Sequence, residues 1–173
     1  MEQRPNESRL FLDDLELGQR FTSATHLIDE AQILAFARQF DPQPFHLDHA
    51  AAGASLFGGL AASGWHTAAI TMRLLVGERA PFVGGIVGAS VELRWPTPTR
   101  PDDVLRVVSE VLDIAPSRSK PERGMVTLRS ETLNQHDEVR QILVSKLVVP
   151  RRPAEPMLRH AGASDRAHGQ SPS

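Results

Sequence analysis

One stretch of the sequence, residues 60–76, constrains the fold more than any other. Its side chains are apolar or small on nearly every side of a helix, and Gly77 follows as a terminator. A helix of this composition must be surrounded by other parts of the chain, because no face of it suits water. The sequence therefore predicts one long buried helix, whose small residues are explained by the close approach of neighbouring backbone.

The segments around this helix carry the patterns of β-strands. The clearest one before it is RFTSATHLI, residues 20–28. The later strands are predicted at 84–95, 104–114, 125–133 and 139–149, with NQHDE (134–138) as a hairpin loop. Helices in one part of the sequence and strands in another indicate an α+β domain, in which one antiparallel sheet packs on the helix.

A second helix is predicted between the first strand and the buried helix. Asp29 is suited to cap its N-terminus, and Gln32 at the third helical position completes a capping box. Apolar residues then recur at helical spacing as far as Phe40. The helix is expected to end there, because Pro42 disfavours helical backbone for Asp41.

Length and composition limit the possible functions. The chain has 173 residues, of which 40% are hydrophobic, enough for one sizeable core. A formal net charge of -2 gives no basic field for nucleic acid or an anionic membrane. The absence of cysteine excludes disulfides and thiolate metal sites.

The ends of the sequence differ from its middle. Residues 1–9 are polar and predicted to be flexible, 10–150 form the single domain, and 151–173 have the composition of a disordered tail. The first ten residues lack an apolar signal core, and no apolar run approaches the length of a membrane span. We therefore expect a cytoplasmic protein without membrane contact.

The stretch FDPQPFHLD, residues 40–48, is predicted to be a loop stiffened by two prolines. A stiff loop can hold the carboxylate of Asp41 and the imidazole of His46 toward one point. Together they can position one water and divide its proton transfers. The alternative is that Asp41 only caps the following turn and His46 is a polar surface residue.

Other polar residues have plainer interpretations. His46 and His49 are three residues apart, but no Glu-x-x-His pattern or third ligand accompanies them, so no metal site is predicted. His66 in the buried helix is interpreted as a hydrogen-bonded core histidine. Arg94 and Arg100 can meet the phosphates of a ligand or can simply be solvated.

Two segments together carry a resemblance to a known family. FARQFDPQPFHLDHAAA followed by LFGGLAASGWHTAA resembles the hydratase motif of the MaoC-like acyl dehydratases, the (R)-specific enoyl-CoA hydratases. The positions that match the family pattern are Asp41, Pro44, His46, Asp48, Phe57, Gly58 and Gly64. The resemblance covers residues 10–150 and implies a hot-dog fold, an antiparallel β-sheet wrapped around a long central apolar helix.

The resemblance also implies a site and a reaction. Asp41 and His46 would be the catalytic pair that activates water. The backbone N–H of Gly64 would bind the thioester oxygen of a coenzyme A substrate, where enolate charge develops. The substrate is itself the coenzyme A thioester, so no cofactor is expected. The family also implies a homodimer with each active site near the subunit interface.

Three positions depart from the family pattern. Phe40 replaces a glycine and is predicted to line the acyl pocket, and Gln43 replaces an asparagine whose hydrogen bonds it can partly reproduce. Ser63 replaces a histidine and is expected either to hydrogen-bond the catalytic pair or to cap the helix. Trp65 is expected to floor the acyl pocket or to pack in the core. These residues and Gly64 form the predicted substrate-binding set.

Two other functions compete with hydration. Several hot-dog thioesterases carry a catalytic carboxylate on the central helix, but residues 60–77 contain neither aspartate nor glutamate. A non-catalytic acyl-CoA-binding or subunit-pairing module fits the three departures, yet such a module has no need for both Asp41 and His46. The sequence therefore favours a hydratase or dehydratase acting on an enoyl-CoA.

Overall fold

The computed structural model describes residues 9–77 and 82–153. Most of the predicted flexible segment 1–9 and of the predicted tail 151–173, namely residues 1–8 and 154–173, lies outside these ranges. In chain order the elements are a 3₁₀ turn Leu12–Asp14, β1 Arg20–Ile28, α1 Glu30–Phe40, α2 Pro44–Leu47, α3 His49–Gly53, α4 Gly64–Val76, β2 Val87–Arg94, β3 Asp103–Pro116, β4 Arg123–Leu133 and β5 Val139–Pro150. None of the helices described is both long and apolar enough to cross a bilayer.

The strands form one antiparallel sheet in the order β1-β3-β4-β5-β2. Buried and less buried residues alternate along β3, β4 and β5, which places one face of the sheet on the core. The predicted single sheet with preceding helices is confirmed. The predicted strand ends are correct to within one or two residues for β1, β3, β4 and β5.

Helix α1 follows the prediction closely. The Asp29 side chain accepts a hydrogen bond of 2.8 Å from the Gln32 N–H, and the helix ends at Phe40. The side chain of Gln32 does not complete the capping box. It contacts the His26 ring at 2.8 Å instead, because β1 runs beside the start of the helix.

Helix α4 begins four residues later than predicted. Residues 60–63 lie outside the helix, and the Ala62 N–H donates to the Thr99 carbonyl over 2.9 Å. Ser63 then caps the helix, since its Oγ accepts a hydrogen bond from the Trp65 N–H. The hydrogen bond to Thr99, which is far along the chain, holds this segment outside the helix.

The predicted burial of this helix is only partial in the single chain. His66 and Thr67 are buried, but Trp65 is 62% exposed. Strand β2 is exposed along most of its length, and its register to β5 shifts between Gly88 and Ser90. Apolar surface of α4 and β2 thus faces outward.

The core of the domain consists of two hydrophobic clusters. One lies between the 3₁₀ turn and the sheet and includes Phe82, Val111 and Val126. The other joins α4 to α1 and the sheet through residues such as Ile33, Ile70 and Leu105. This second cluster supports the N-terminal half of the domain, where the candidate site lies.

The chain beyond β5 is attached to the domain by two arginines that the sequence assigned to the tail. The Arg151 guanidinium contacts the Asp13 carboxylate at 2.6 Å, and that of Arg152 contacts Asp14 at 2.7 Å. Arg152 also lies over the Phe11 ring, 4.9 Å from its centroid. These contacts fasten the end of the sheet to the 3₁₀ turn.

Candidate active site

His46 lies on α2, a one-turn helix inside the stretch that was predicted to be a loop throughout. Pro44 occupies the first helical position, where its missing N–H costs nothing and its fixed φ favours the turn. His46 is only 4% exposed, so it is not the polar surface residue of the alternative interpretation. Nor does Asp41 cap α2, since the cap residue is Gln43.

Asp41 and His46 face each other with a defined orientation of the ring. His46 Nδ1 lies 2.7 Å from the carbonyl oxygen of Ala61, which can only accept, so Nδ1 carries the proton. The other ring nitrogen, Nε2, lies 3.5 Å from Asp41 Oδ2. In a neutral ring Nε2 is therefore the basic nitrogen, and it points toward the carboxylate.

Both oxygens of the Asp41 carboxylate accept hydrogen bonds. Gln43 Nε2 donates to Oδ1 over 2.7 Å, and Ser63 Oγ donates to Oδ2 over 2.6 Å. Burial raises the pKa of Asp41, but these two hydrogen bonds and the electrostatic effect of the nearby His46 ring outweigh it and hold the pKa below its ordinary value. The group is a carboxylate at neutral pH.

Ser63 combines the two roles that the sequence left open. Its hydroxyl donates to Asp41, and the same oxygen accepts from the Trp65 N–H. The start of α4 is thereby attached directly to the carboxylate.

Gly64 is the first residue of α4, so its N–H has no acceptor within the helix. A Cβ at this position would lie 2.8 Å from Cε2 of Trp95. Packing within the domain therefore requires glycine at this position. The space beside its Cα is already filled by an indole ring, and no side chain fits there.

These residues border an open cleft of about 500 Å³. Asp41, His46, the start of α4 and the segment 95–99 all line it. Gln43, Gly64 and Trp65 also line the cleft. The structure therefore brings together most of the set that the sequence proposed.

Two residues of the predicted substrate-binding set, Ser63 and Phe40, do not line the cleft. Ser63 is buried. The Phe40 side chain is 64% exposed and packs on Phe36, with the ring centroids 5.0 Å apart, outside the cleft of the single chain. Phe40 ends α1, and the turn of the chain at Asp41 directs the two side chains to different places.

Sequence reasoning missed the part of Arg100 in shaping the site. Its guanidinium donates to the carbonyl oxygens of Phe57, Gly59 and Leu60, over 2.5 to 3.0 Å. Arg100 thus fixes the backbone that leads into the cleft and is neither simply solvated nor free to meet a phosphate. In the sequence Arg100 is a lone arginine in a predicted turn, and such a residue does not indicate which groups it will contact.

His66 is buried beside the site but lies on another face of α4. It stacks on Phe36 with the ring centroids 4.5 Å apart, and its Nδ1 has no hydrogen-bond partner among the residues described. Burial, with a smaller effect from His26, lowers the pKa of His66 to about 4. It is a neutral core histidine, although without the hydrogen bond that was expected.

Comparison with known proteins identifies a MaoC like domain at residues 14–134. The match spans more than half of the sequence. The chain belongs to the MaoC-like domain family. The uncharacterized protein YdeM of Bacillus subtilis is 36% identical to it over 129 residues, which are 73% of this chain and 89% of YdeM.

Solved structures confirm the fold of this MaoC-like protein. A MaoC-like dehydratase from Rhodospirillum rubrum is 61% identical, with a TM-score of 0.82 over 84% of this chain and 99% of that one. The R-hydratase PhaJ1 from Pseudomonas aeruginosa is 26% identical, with a TM-score of 0.62 over 83% and 88% of the two chains. The predicted hot-dog fold is confirmed.

Proposed function

We propose that this MaoC-like protein adds water to the C2–C3 double bond of an enoyl-CoA thioester, or catalyses the reverse dehydration. The observation that carries the proposal is the orientation of His46. Its Nδ1 is committed to the Ala61 carbonyl at 2.7 Å, so its basic Nε2 faces Asp41 Oδ2 at 3.5 Å on the wall of the cleft. One water bound to both groups is in place for deprotonation.

The proton transfers follow from the ionised carboxylate of Asp41 and the orientation of the His46 ring. Asp41 is ionised, so it accepts a hydrogen bond from the water and orients it. The water oxygen attacks C3 while its proton passes to His46 Nε2, and the double-bond electrons move to the thioester oxygen. The enolate then takes a proton from His46 at C2. The product is a 3-hydroxyacyl-CoA, and both side chains return to their initial state.

The enolate oxygen is stabilised by the start of α4. The N–H of Gly64 is free of an intrahelical partner and lies at the positive end of a 13-residue helix. A donor fixed toward developing negative charge lowers the barrier more than it tightens ground-state binding. The reaction changes no oxidation state overall and requires no cofactor beyond the thioester itself.

We also propose roles in substrate binding for the other residues of the predicted set. Gln43 holds Asp41 and lines the cleft, and Trp65 supplies apolar surface for the acyl group. Phe40 can contact substrate only if a second subunit extends the site toward it. The exposed apolar side chains of β2 agree with a homodimer. The cytoplasm remains the compartment predicted from the sequence.

A spectrophotometric assay tests the proposal. Purified protein is mixed with enoyl-CoA thioesters from crotonyl-CoA upward, and loss of the absorbance of the conjugated thioester is followed. We expect saturable turnover of at least one thioester, with a 3-hydroxyacyl-CoA as product. Release of free coenzyme A thiol without hydration would instead support a thioesterase, and binding without any reaction would support an acyl-CoA-binding module.

A further inference from the structure

Trp95 lines the cleft but takes no part in the proposed proton transfers. Trp95 packs against the first residue of α4, where a Cβ on Gly64 would lie 2.8 Å from indole Cε2 and 3.0 Å from Cδ2. On another side it meets the Trp65 ring edge-to-face, with the centroids 5.7 Å apart. The position of this indole therefore limits where Gly64 can lie.

The indole is held in turn by a buried amide. Trp95 Nε1 donates to Gln141 Oε1 over 2.8 Å, and Gln141 on β5 is fully buried. Gln141 Nε2 donates to the Thr71 hydroxyl over 2.9 Å. Thr71 also pairs with Thr132 of β4 at 2.6 Å, and these threonines are fully buried as well. A polar network inside the core thus connects the sheet, α4 and the wall of the cleft.

We propose that Gln141 is a positioning residue of the active site. Through Trp95 it sets the place of Gly64, and hence of the N–H that stabilises the thioester oxygen in the proposed function, on which this inference rests. An amide buried in an apolar strand is unfavourable unless its groups are paired. Both hydrogen bonds of this side chain lead toward α4, one directly and one through the indole.

The expected kinetic effect distinguishes positioning from binding. A donor aimed at charge that appears only in the transition state contributes mainly to kcat. Gln141→Met keeps the length of the side chain but leaves the indole N–H unheld. We expect it to lower kcat by about tenfold or more while KM changes by less than about threefold.

Two further variants make the test specific. Gln141→Glu, protonated in this buried position, can accept from the indole and donate to Thr71, so it should restore most of kcat. Trp95→Phe removes the indole N–H and should lose as much as Gln141→Met. The double variant should be no worse than the poorer single one, because the two residues act as a unit.

The indole itself gives a readout that does not depend on activity. The chain has two tryptophans, so its NMR spectrum has two indole N–H signals, and the Trp95 signal is the one missing in Trp95→Phe. This signal should exchange slowly with solvent in the wild type and in Gln141→Glu, and faster in Gln141→Met. Ser109→Ala is the control, because it removes another buried hydrogen bond of the sheet, the 2.7 Å contact with Ser130.

The outcomes separate this inference from the proposed function. If the wild type hydrates no enoyl-CoA, the proposed function is wrong and this role falls with it. If the wild type is active but Gln141→Met keeps its kcat, or if Ser109→Ala loses as much, only the positioning role is overturned. Should Gln141→Met fail to fold, an unchanged kcat in Trp95→Phe would overturn it equally.

Discussion

At the scale of single residues, the candidate site is formed by contacts between polar groups that three different helices position. Asp41 follows α1, His46 lies on α2, and Ser63 caps α4. The sequence placed the first two together by their spacing alone. It did not contain the orientation of the imidazole, which depends on the carbonyl of Ala61, fifteen residues further along the chain.

Removal of the Ser63 hydroxyl should raise the pKa of Asp41. Burial already acts in that direction, and Ser63→Ala deletes one of the hydrogen bonds that oppose it. A carbon-13 NMR titration of the Asp41 side chain measures this directly. Ser63→Thr keeps a hydroxyl and serves as the control. A pKa in Ser63→Ala equal to or below that of the wild type would contradict the assigned contact.

His66 should make the folded state sensitive to mild acid. Its pKa is lowered to about 4 by burial, whereas an exposed histidine in the unfolded chain titrates near 6.5. The unfolded state therefore binds the extra proton first, and stability is lost as the pH falls from 6.5 toward 4. The loss attributable to this residue approaches about 1.4 kcal/mol per pH unit.

Urea unfolding of wild type and His66→Gln at several pH values tests this effect. The free energy of unfolding should fall more steeply for the wild type over this range. His49→Gln, which alters an exposed histidine paired with Glu30, is the comparison for loss of an imidazole from the surface. Parallel curves for wild type and His66→Gln would show that His66 is not buried neutral.

At the scale of elements, the sequence predicted the boundaries that neighbouring residues determine. It did not predict the boundaries that depend on contacts between distant residues. Asp29 and Pro42 flank α1 closely in the sequence and determine where it begins and ends, so both ends were predicted correctly. The start of α4 was not, because the Ala62–Thr99 hydrogen bond joins residues far apart in the sequence. The same limit explains why Trp95, on the segment after β2, was not predicted to line the cleft.

The end of β5 gives a prediction at this scale. A chain that ends at Pro153 should match the full chain in melting temperature, because the residues removed have little apolar content. A chain that ends at Pro150 loses the contacts of Arg151 and Arg152 with Asp13 and Asp14 and should melt at a lower temperature. High salt should reduce the difference between the two truncations.

The pH dependence of this difference has a definite sign. Hydrogen bonds from Arg151 and Arg152 hold the pKa of Asp13 below 3.8, and hydrogen bonds from the Phe11 N–H and, less strongly, Arg152 do the same for Asp14. The stabilisation is therefore present above about pH 4 and is lost as the pH falls below it. Equal melting temperatures for both truncations at neutral pH and low salt would show that the arginine contacts do not stabilise the domain.

At the scale of the whole molecule, a single chain leaves apolar surface at an edge of its sheet. Val87 and Val91 on the edge strand β2 are 54% and 61% exposed. Edge strands of this kind are usually covered, and pairing of two identical sheets is a common way to do so. The homodimer implied by the family resemblance agrees with this surface.

Light scattering of the purified protein should therefore give the mass of a dimer at micromolar concentration. Val91→Lys places a charge on the exposed face of β2 and should shift the population toward monomer. Glu92→Lys places the same charge at the next residue, which points to the other side of the strand, and should shift it less. A wild-type monomer would contradict the predicted assembly.

The central claim, that Asp41 and His46 act together on one water, is tested most directly by a double-mutant cycle in kcat for the enoyl-CoA that the wild type hydrates best. Asp41→Asn and His46→Gln should each lower kcat by roughly 10²-fold or more. The double variant should be little worse than the poorer single one, because neither group works without the other. His49→Gln controls for loss of a nearby imidazole.

His46 is buried and hydrogen-bonded to Ala61, so His46→Gln is expected to lose some stability, and thermal unfolding must show that each variant is folded at the assay temperature. With folded variants, a loss of kcat that is large in each single variant and not additive in the double one is the result we predict. Turnover near that of the wild type in either folded single variant would contradict the claim.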